Sequence, residues 1–405
     1  MKKIYLFACA TLLALSGCTN EISEDGFVDK TNAISFSAYP TKTRAVTGDV
    51  TSDNMKNDNF GVFGYFNNSP YLYVLSSSEE GSVKKAVKQK WNNTSSAWEY
   101  VTPSELKFWP SGSMDFYAYF PSSENVTFEE SITHSTVSNV NVMTISNVDC
   151  SHDVLFAKNY TSYKERVPLT FNHAFSKIKE VNVKIGDGTD GTEKGYVKDA
   201  GVSVEIQKVE FINTSTSGDV KVDNSGVASY TVASPDVTLS KDLSSSVVKV
   251  NSTQLTGRLI NNSTSGGYLF ATNSSSSATN NVKGTGKTMW DGTKDNTWAA
   301  ESKTLENLGQ VCLKLTCKVW NGTDDNKYYY LGGDSNYEDM YIPLKGTDSN
   351  SNPVSTFVAG KRYIYNIVFK DNVGFKNNGD PVLRPILFEV ASVDAWTDVT
   401  VTITL

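Results

Sequence analysis

Nucleophile, base and carboxylate types gather once in this 405-residue chain, at Asp149-Cys150-Ser151-His152-Asp153. Hydrolytic chemistry needs such groups to converge in space, and neighbours on an extended strand point to opposite faces. The run therefore reads as a turn ahead of a strand. The three histidines, His134, His152 and His173, show no metal-ligand spacing, and zinc or copper needs convergent nitrogen and sulfur ligands. Asp187 to Glu193 offers hard oxygen ligands at alternating places but lacks the full calcium-loop pattern, so turn chemistry accounts for it. Glu79-Glu80, Glu129-Glu130 and Asp324-Asp325 are adjacent carboxylates that cannot both face one sugar across a cleft, and they read as solvated charge. Tyr328-Tyr329-Tyr330, Trp290 and Trp298 could stack on a glycan, while core or rim packing explains each of them more simply. No glycine-rich phosphate loop or nucleophile elbow is present. No catalytic residue, metal or cofactor is assigned, and an enzyme is not expected.

Two other positions carry chemistry of a different kind. Lys2 and Lys3, the apolar run Ile4 to Leu15, and Leu15-Ser16-Gly17-Cys18 make a targeting segment too short to span a bilayer permanently. Small residues before the cysteine match a bacterial lipobox, which predicts acylation of Cys18 and loss of residues 1–17. The second position is Arg44. Arginine occurs only at positions 44, 166, 258, 362 and 384, beside 32 lysines, so an Arg-specific protease meets few bonds. Arg44 is the one near the start, and a cut there makes Ala45 the new N-terminus.

The elements that must position Arg44 are strands. Ile34, Phe36 and Ala38 alternate with Ser35, Ser37 and Tyr39, the two-residue period of a half-buried strand. Pro40 cannot donate to a ladder, so the strand ends there and gives way to exposed Thr41 to Arg44. We read this strand as one that completes a sheet in the precursor and is later removed, leaving an open groove.

Downstream, the apolar runs Phe60 to Phe66, Tyr71 to Leu75 and Met114 to Phe120 are closed by Asn, Ser and Pro, as strands are. Trp91 and Trp98 flank a hairpin loop. Val137 to Val148 and Asp153 to Ala157 follow. Val167 to Ile185 is the longest patterned run, and a domain boundary near residue 166 is placed at its start. Val202 to Ile212 returns as a strand. Residues 213–305 are rich in Ser, Thr, Asn and Gly and read as a long decorated loop region. Strands resume at Val311 to Val319, Tyr328 to Leu331, Met340 to Leu344, Arg362 to Phe369, Pro385 to Val390 and Thr397 to Leu405. The whole predicts an all-β chain of two sandwiches, with no solenoid or propeller repeat.

Composition sets the remaining bounds. The net charge is −7, and the segment through Arg44 carries five basic and four acidic residues, so its loss leaves −8 on 361 residues. That argues against nucleic-acid binding. Cys150, Cys312 and Cys317 remain after the leader goes, too few for a disulfide scaffold. Alternation puts Cys317 toward the core and Cys312 on the opposite face with Lys314, so no bridge joins them.

In order along the chain, these pieces resemble the fimbrillin family, subunits of type V pili of Gram-negative anaerobes. The matching segments are the lipobox at Cys18, Ile34 to Arg44, Asn59 to Phe63, Phe108 to Gly112 before Met114 to Tyr119, Asp153 to Ala157, Val167 to Ile178, and a final strand pair containing Trp396. The resemblance implies a lipoprotein signal peptide (1–17), a propeptide with a removable first strand (18–44), and two transthyretin-like sandwiches, 45–165 and 166–405. It implies outer-membrane attachment through lipid on Cys18, cutting after Arg44 by an Arg-specific surface protease, and polymerisation with other pilus subunits by donor-strand exchange. Val399, Val401, Ile403 and Leu405 make a suitable donor strand, or equally the closing strand of the chain's own second sandwich. The family also contains anchors, which keep their lipid, and tips, which lack a free donor strand. The alternative from another class is a lipid-anchored surface protein that binds glycan or a host ligand without polymerising.

Overall fold

Strands dominate because β-branched and aromatic residues recur with period two between Gly, Asn, Asp and Pro turns. The computed structural model describes residues 32–41, 50–78, 81–130, 132, 140–186, 201–232, 239–262, 266–270, 288–294, 298, 303–323, 325–348, 351–369, 373–383, 387–390 and 398–404. The first strands are β1 (Phe36–Pro40), β2 (Phe60–Phe66), β3 (Ser69–Leu72), β4 (Val74–Ser78), β5 (Gly81–Lys85), β6 (Val87–Asn92) and β7 (Ala97–Tyr100). They continue with β8 (Met114–Phe120), β9 (Asn125–Phe128), β10 (Asn141–Val148), β11 (Leu155–Thr161), β12 (Val167–His173), β13 (Phe175–Ile185) and β14 (Val202–Ile212). Then come β15 (Gly218–Asp223), β16 (Ala228–Val232), β17 (Leu239–Asp242), β18 (Val248–Val250), β19 (Thr256–Asn261), β20 (Tyr268–Phe270) and β21 (Cys312–Thr323). The last are β22 (Asn326–Leu331), β23 (Glu338–Pro343), β24 (Gly346–Thr347), β25 (Pro353–Val354), β26 (Arg362–Phe369), β27 (Leu387–Val390) and β28 (Asp398–Thr404). Among the described residues no helix is long and apolar enough to cross a membrane.

The first sheet runs β1-β12-β11-β8-β2-β6-β7, with β3 beside β2. Its central strands are covered on both faces. Met114, Phe116, Ala118 and Phe120 of β8 join Phe60 and Val62 in one core, while Tyr117 and Tyr119 join Phe63 and Tyr65 in another. Close packing reaches the backbone at Gly61, where a Cβ would run into the Tyr119 ring. The second sheet, β16-β15-β10-β9, closes that second core with Val142, Ile145, Val220 and Val222.

The third sheet is β19-β13-β26-β27-β28, and the fourth is β17-β14-β21-β22. They enclose a single core, as a sandwich does: Val181, Val183, Tyr365 and Ile367 from one side meet Val204, Val209, Leu313, Leu315 and Cys317 from the other. Cys312 faces away, buried with Trp290, Trp298 and Tyr341, and Cys150, Cys312 and Cys317 are free thiols.

The patterned run Val167 to Ile185 comprises two strands, β12 and β13, and the chain passes from the first sheet to the third at Ala174. One sequence expectation changes here. The Ser/Asn-rich stretch 213–305 is not only loop, since β15 to β20 lie within it. β15 and β16 bury Val220, Val222 and Ala228 against strands of the first half, and all three residues of β20 are buried.

Candidate functional site

The first strand enters its sheet through two different neighbours. At Asn32 to Ile34 it meets the segment before β8 in antiparallel fashion, with Ala33 opposite Phe108. Ile34 N–H donates to the Lys107 carbonyl at 2.8 Å, and Trp109 N–H donates to the Asn32 carbonyl at 3.1 Å. Beyond Ser35 the chain runs parallel to β12, in register Phe36 with Val167 through Pro40 with Phe171. Val167 N–H donates to the Ser35 carbonyl at 2.8 Å, and Thr41 N–H donates to the Phe171 carbonyl at 2.7 Å. β1 thus bridges a slot between β12 and the 107–109 segment.

Its inward side chains fill the core beneath. Ile34 is 0% and Phe36 1% exposed, and Ala38 packs partly buried against the same cluster. The Phe36 ring meets Phe60 and Phe116 edge-on, with centroids 6.2 and 5.7 Å away. The Tyr100 hydroxyl donates to the Ile34 carbonyl at 2.9 Å, and burial raises its pKa far above the ordinary tyrosine range. Burying Ile34 and Phe36 stabilises the sheet by roughly 3–6 kcal/mol. A chain without β1 would expose that apolar trough together with backbone donors and acceptors on β12, which is what an added strand satisfies. Cys18, Arg44, Ala45 and Leu405 lie outside the described residues.

At the other end of the chain, β28 lies against its own sheet. Asp398 to Val401, with Val399 and Val401 among them, run parallel to Arg362 to Tyr365, and Val401 to Thr404, Ile403 included, pair antiparallel with β27.

The sequence candidates for chemistry resolve as follows. Ser151 and His152 do meet, because the chain bends there instead of extending. His152 Nδ1 lies 3.0 Å from Ser151 Oγ, and His152 Nε2 lies 2.7 Å from Glu124 Oε1. The Glu124 hydrogen bond is the largest influence on the ring and raises its pKa, favouring an imidazolium that donates from both nitrogens. Such a ring is a poor base toward Ser151. Asp149 accepts from Ser151, which holds its carboxyl below the usual range, and Asp153 pairs instead with buried His173 at 2.7 Å. Ser151, His152 and Asp153 border a cavity of about 390 Å³ that also touches Asp58, Phe120, Ser123 and Tyr268. Trp290 and Trp298 are core residues, whereas Tyr328 is 68% exposed. The Asp187 to Glu193 loop and His134 lie outside the described residues, and among those described no three metal-ligand residues converge.

A family model described as fimbrillin-like matches residues 43–380. No curated protein matches the chain. Among solved structures, the chain is similar to a fimbrial protein from Bacteroides vulgatus, at 15% identity and TM-score 0.46, covering 90% of this chain and 100% of that one. It is also similar to a fimbrilin from Porphyromonas gingivalis, at 12% identity and TM-score 0.41, covering 92% of this chain and 96% of that one.

Proposed function

The chain belongs to the fimbrillin-like family, which makes it a pilus- or adhesion-related surface protein, and from that premise we propose that it is a structural stalk or tip subunit of a type V pilus. It is exported as a lipoprotein acylated at Cys18, held at the outer membrane, and cut between Arg44 and Ala45 by an Arg-specific protease. The strand carrying Ile34, Phe36 and Ala38 then leaves, and a strand from another subunit fills the slot. Val399, Val401, Ile403 and Leu405 of a neighbouring copy are the candidate donor, which requires β28 to leave β26 and β27.

The observation that carries this reading is the placement of β1. Ile34 and Phe36 are buried in the core, yet the principal sheet partner of β1 is β12 alone, and Arg44 stands three residues beyond Thr41. A removable strand must be anchored well enough to hold the sheet closed and joined simply enough to be exchanged. The two-domain division, near residue 166, is part of the same proposal. Two apolar clusters support it, one drawn from Ile34 to Phe171 and one from Ile178 to Val373, with the chain crossing at Ala174, while a third cluster draws on both halves through β15 and β16.

Sequencing the N-terminus of surface-derived protein tests the reading, with Ala45 expected and Cys18 the contrary result. Arg44→Ala should leave a lipidated precursor unable to assemble, and unchanged polymer formation by that variant would refute the proposal. The second reading, a surface protein that binds glycan without polymerising, draws on the cavity beside His152, which mixes polar and apolar lining. A precursor that stays lipidated and monomeric yet binds on a glycan array would favour it.

A further inference from the structure

Arg166 ends an exposed run, Ser162 to Arg166, between β11 and β12. The backbone on both sides of it is held by Ser35, the residue that leads into β1. Ser35 Oγ donates to the Glu165 carbonyl, and Val167 N–H donates to the Ser35 carbonyl at 2.8 Å. From there β1 runs along Val167 to Phe171, whereas β11 meets β12 only at Asn172 and His173. Asn159 adds one side-chain bond to the Pro168 carbonyl at 2.7 Å. For the five residues after Arg166, β1 is the sheet partner.

A protease draws several residues on each side of the scissile bond into an extended cleft, so it cuts a folded chain where that chain opens locally. The other described arginines are held differently. Arg258 lies inside β19, paired with Asn182 of β13, and Arg362 is buried in β26 between β13 and β28.

We propose that Arg166–Val167 is a second Arg-specific cleavage site, guarded by β1 and unmasked when that strand leaves without a replacement. This rests on the displacement of β1 proposed above. The step is hydrolysis: water adds across the Arg166–Val167 amide, leaving a carboxylate on Arg166 and a free amine on Val167, with no reactant beyond water and the protease. A strand laid along β12 restores the guard. Subunits whose slot is refilled therefore survive, and those whose slot stays empty are cut by the same class of enzyme that emptied it.

The test treats the full-length chain with an Arg-specific endoprotease and follows both bonds by mass spectrometry, with native separation of the N-terminal fragment. Cutting after Arg44 and release of the fragment should precede cutting after Arg166. The Arg166 cut should be at least about tenfold slower in Arg44→Ala, because protection follows the population of the opened form. A synthetic peptide spanning Asn32 to Thr41 should slow it again in the released body. Equal Arg166 rates in Arg44→Ala and the unaltered chain would overturn the proposal, as would a released fragment with the Arg166 bond staying whole in the absence of peptide. A fragment that is cut but remains on the body, with Arg166 intact, supports the guard and refutes the displacement on which its use depends.

Discussion

The two terminal strands, β1 and β28, both lie parallel to a partner from deep in the chain, and they differ in what else holds them. β1 has β12 as its strand partner and a short antiparallel contact at Ala33. β28 is shared between β26 and β27, pairing with one along its first half and with the other along its second. Removing β1 separates one ladder and empties one trough, whereas removing β28 breaks two ladders, one with β26 and one with β27. The first strand is the more separable, which suits an element meant to leave. The last requires a larger rearrangement before it can be donated.

The contrast can be broken most sharply at Phe36. Phe36→Ala should destabilise the uncut chain by about 3–5 kcal/mol, the usual cost of emptying a buried aromatic site, and should leave the Arg44-cut body unchanged. Denaturant unfolding of both forms reads this, and an equal loss in the cut form would mean that β1 never left. Asp153→Ala provides the converse. It removes the partner of His173, at the end of β12 that β11 holds, and should cost on the order of 3 kcal/mol in both forms. Tyr100→Phe loses the bond to the Ile34 carbonyl, so it should cost about 1 kcal/mol more while β1 is present than after it leaves.

The smallest effect concerns pH. His152 has a raised folded pKa, so the stability it contributes is fully present below the ordinary histidine value and is lost as pH rises through the folded one. With its side chain 46% exposed, solvent screening keeps the effect under about 1 kcal/mol. Glu124→Gln should flatten the melting temperature between about pH 6 and 8 in the unaltered background, and a profile of unchanged slope would remove His152 from the account.

Much of the fold was legible from local pattern. Phe60 to Phe66, Met114 to Phe120, Val202 to Ile212 and Arg362 to Phe369 are strands at the positions their alternation predicts, because turn residues bound them. Cys312 and Cys317 fall on opposite faces for the same reason. What escaped was non-local. Leu169, Phe171, His173 and Phe175 keep one parity across the sheet change at Ala174, so no residue type marks it. Lys221 and Ser229 make β15 and β16 look like loop, and only pairing with β10 explains why Val220 and Val222 are buried. At the candidate site, the inward set Ile34, Phe36 and Ala38 was readable from the period. Its parallel partner was not, since nothing near residue 36 encodes Val167. Ser151 and His152 meet through a local bend that an extended-chain reading excludes.

The parallel register of β1 and β12 also orders events in time. Ser35 and Glu165 are 130 positions apart, so in a chain that emerges N-terminus first the strand waits for its partner to be made. Contacts of such separation form late and slowly, because the loop between them must be closed first. The first strand out is thus among the last to dock, and a newly made molecule passes through an interval in which its slot is already shaped and still vacant.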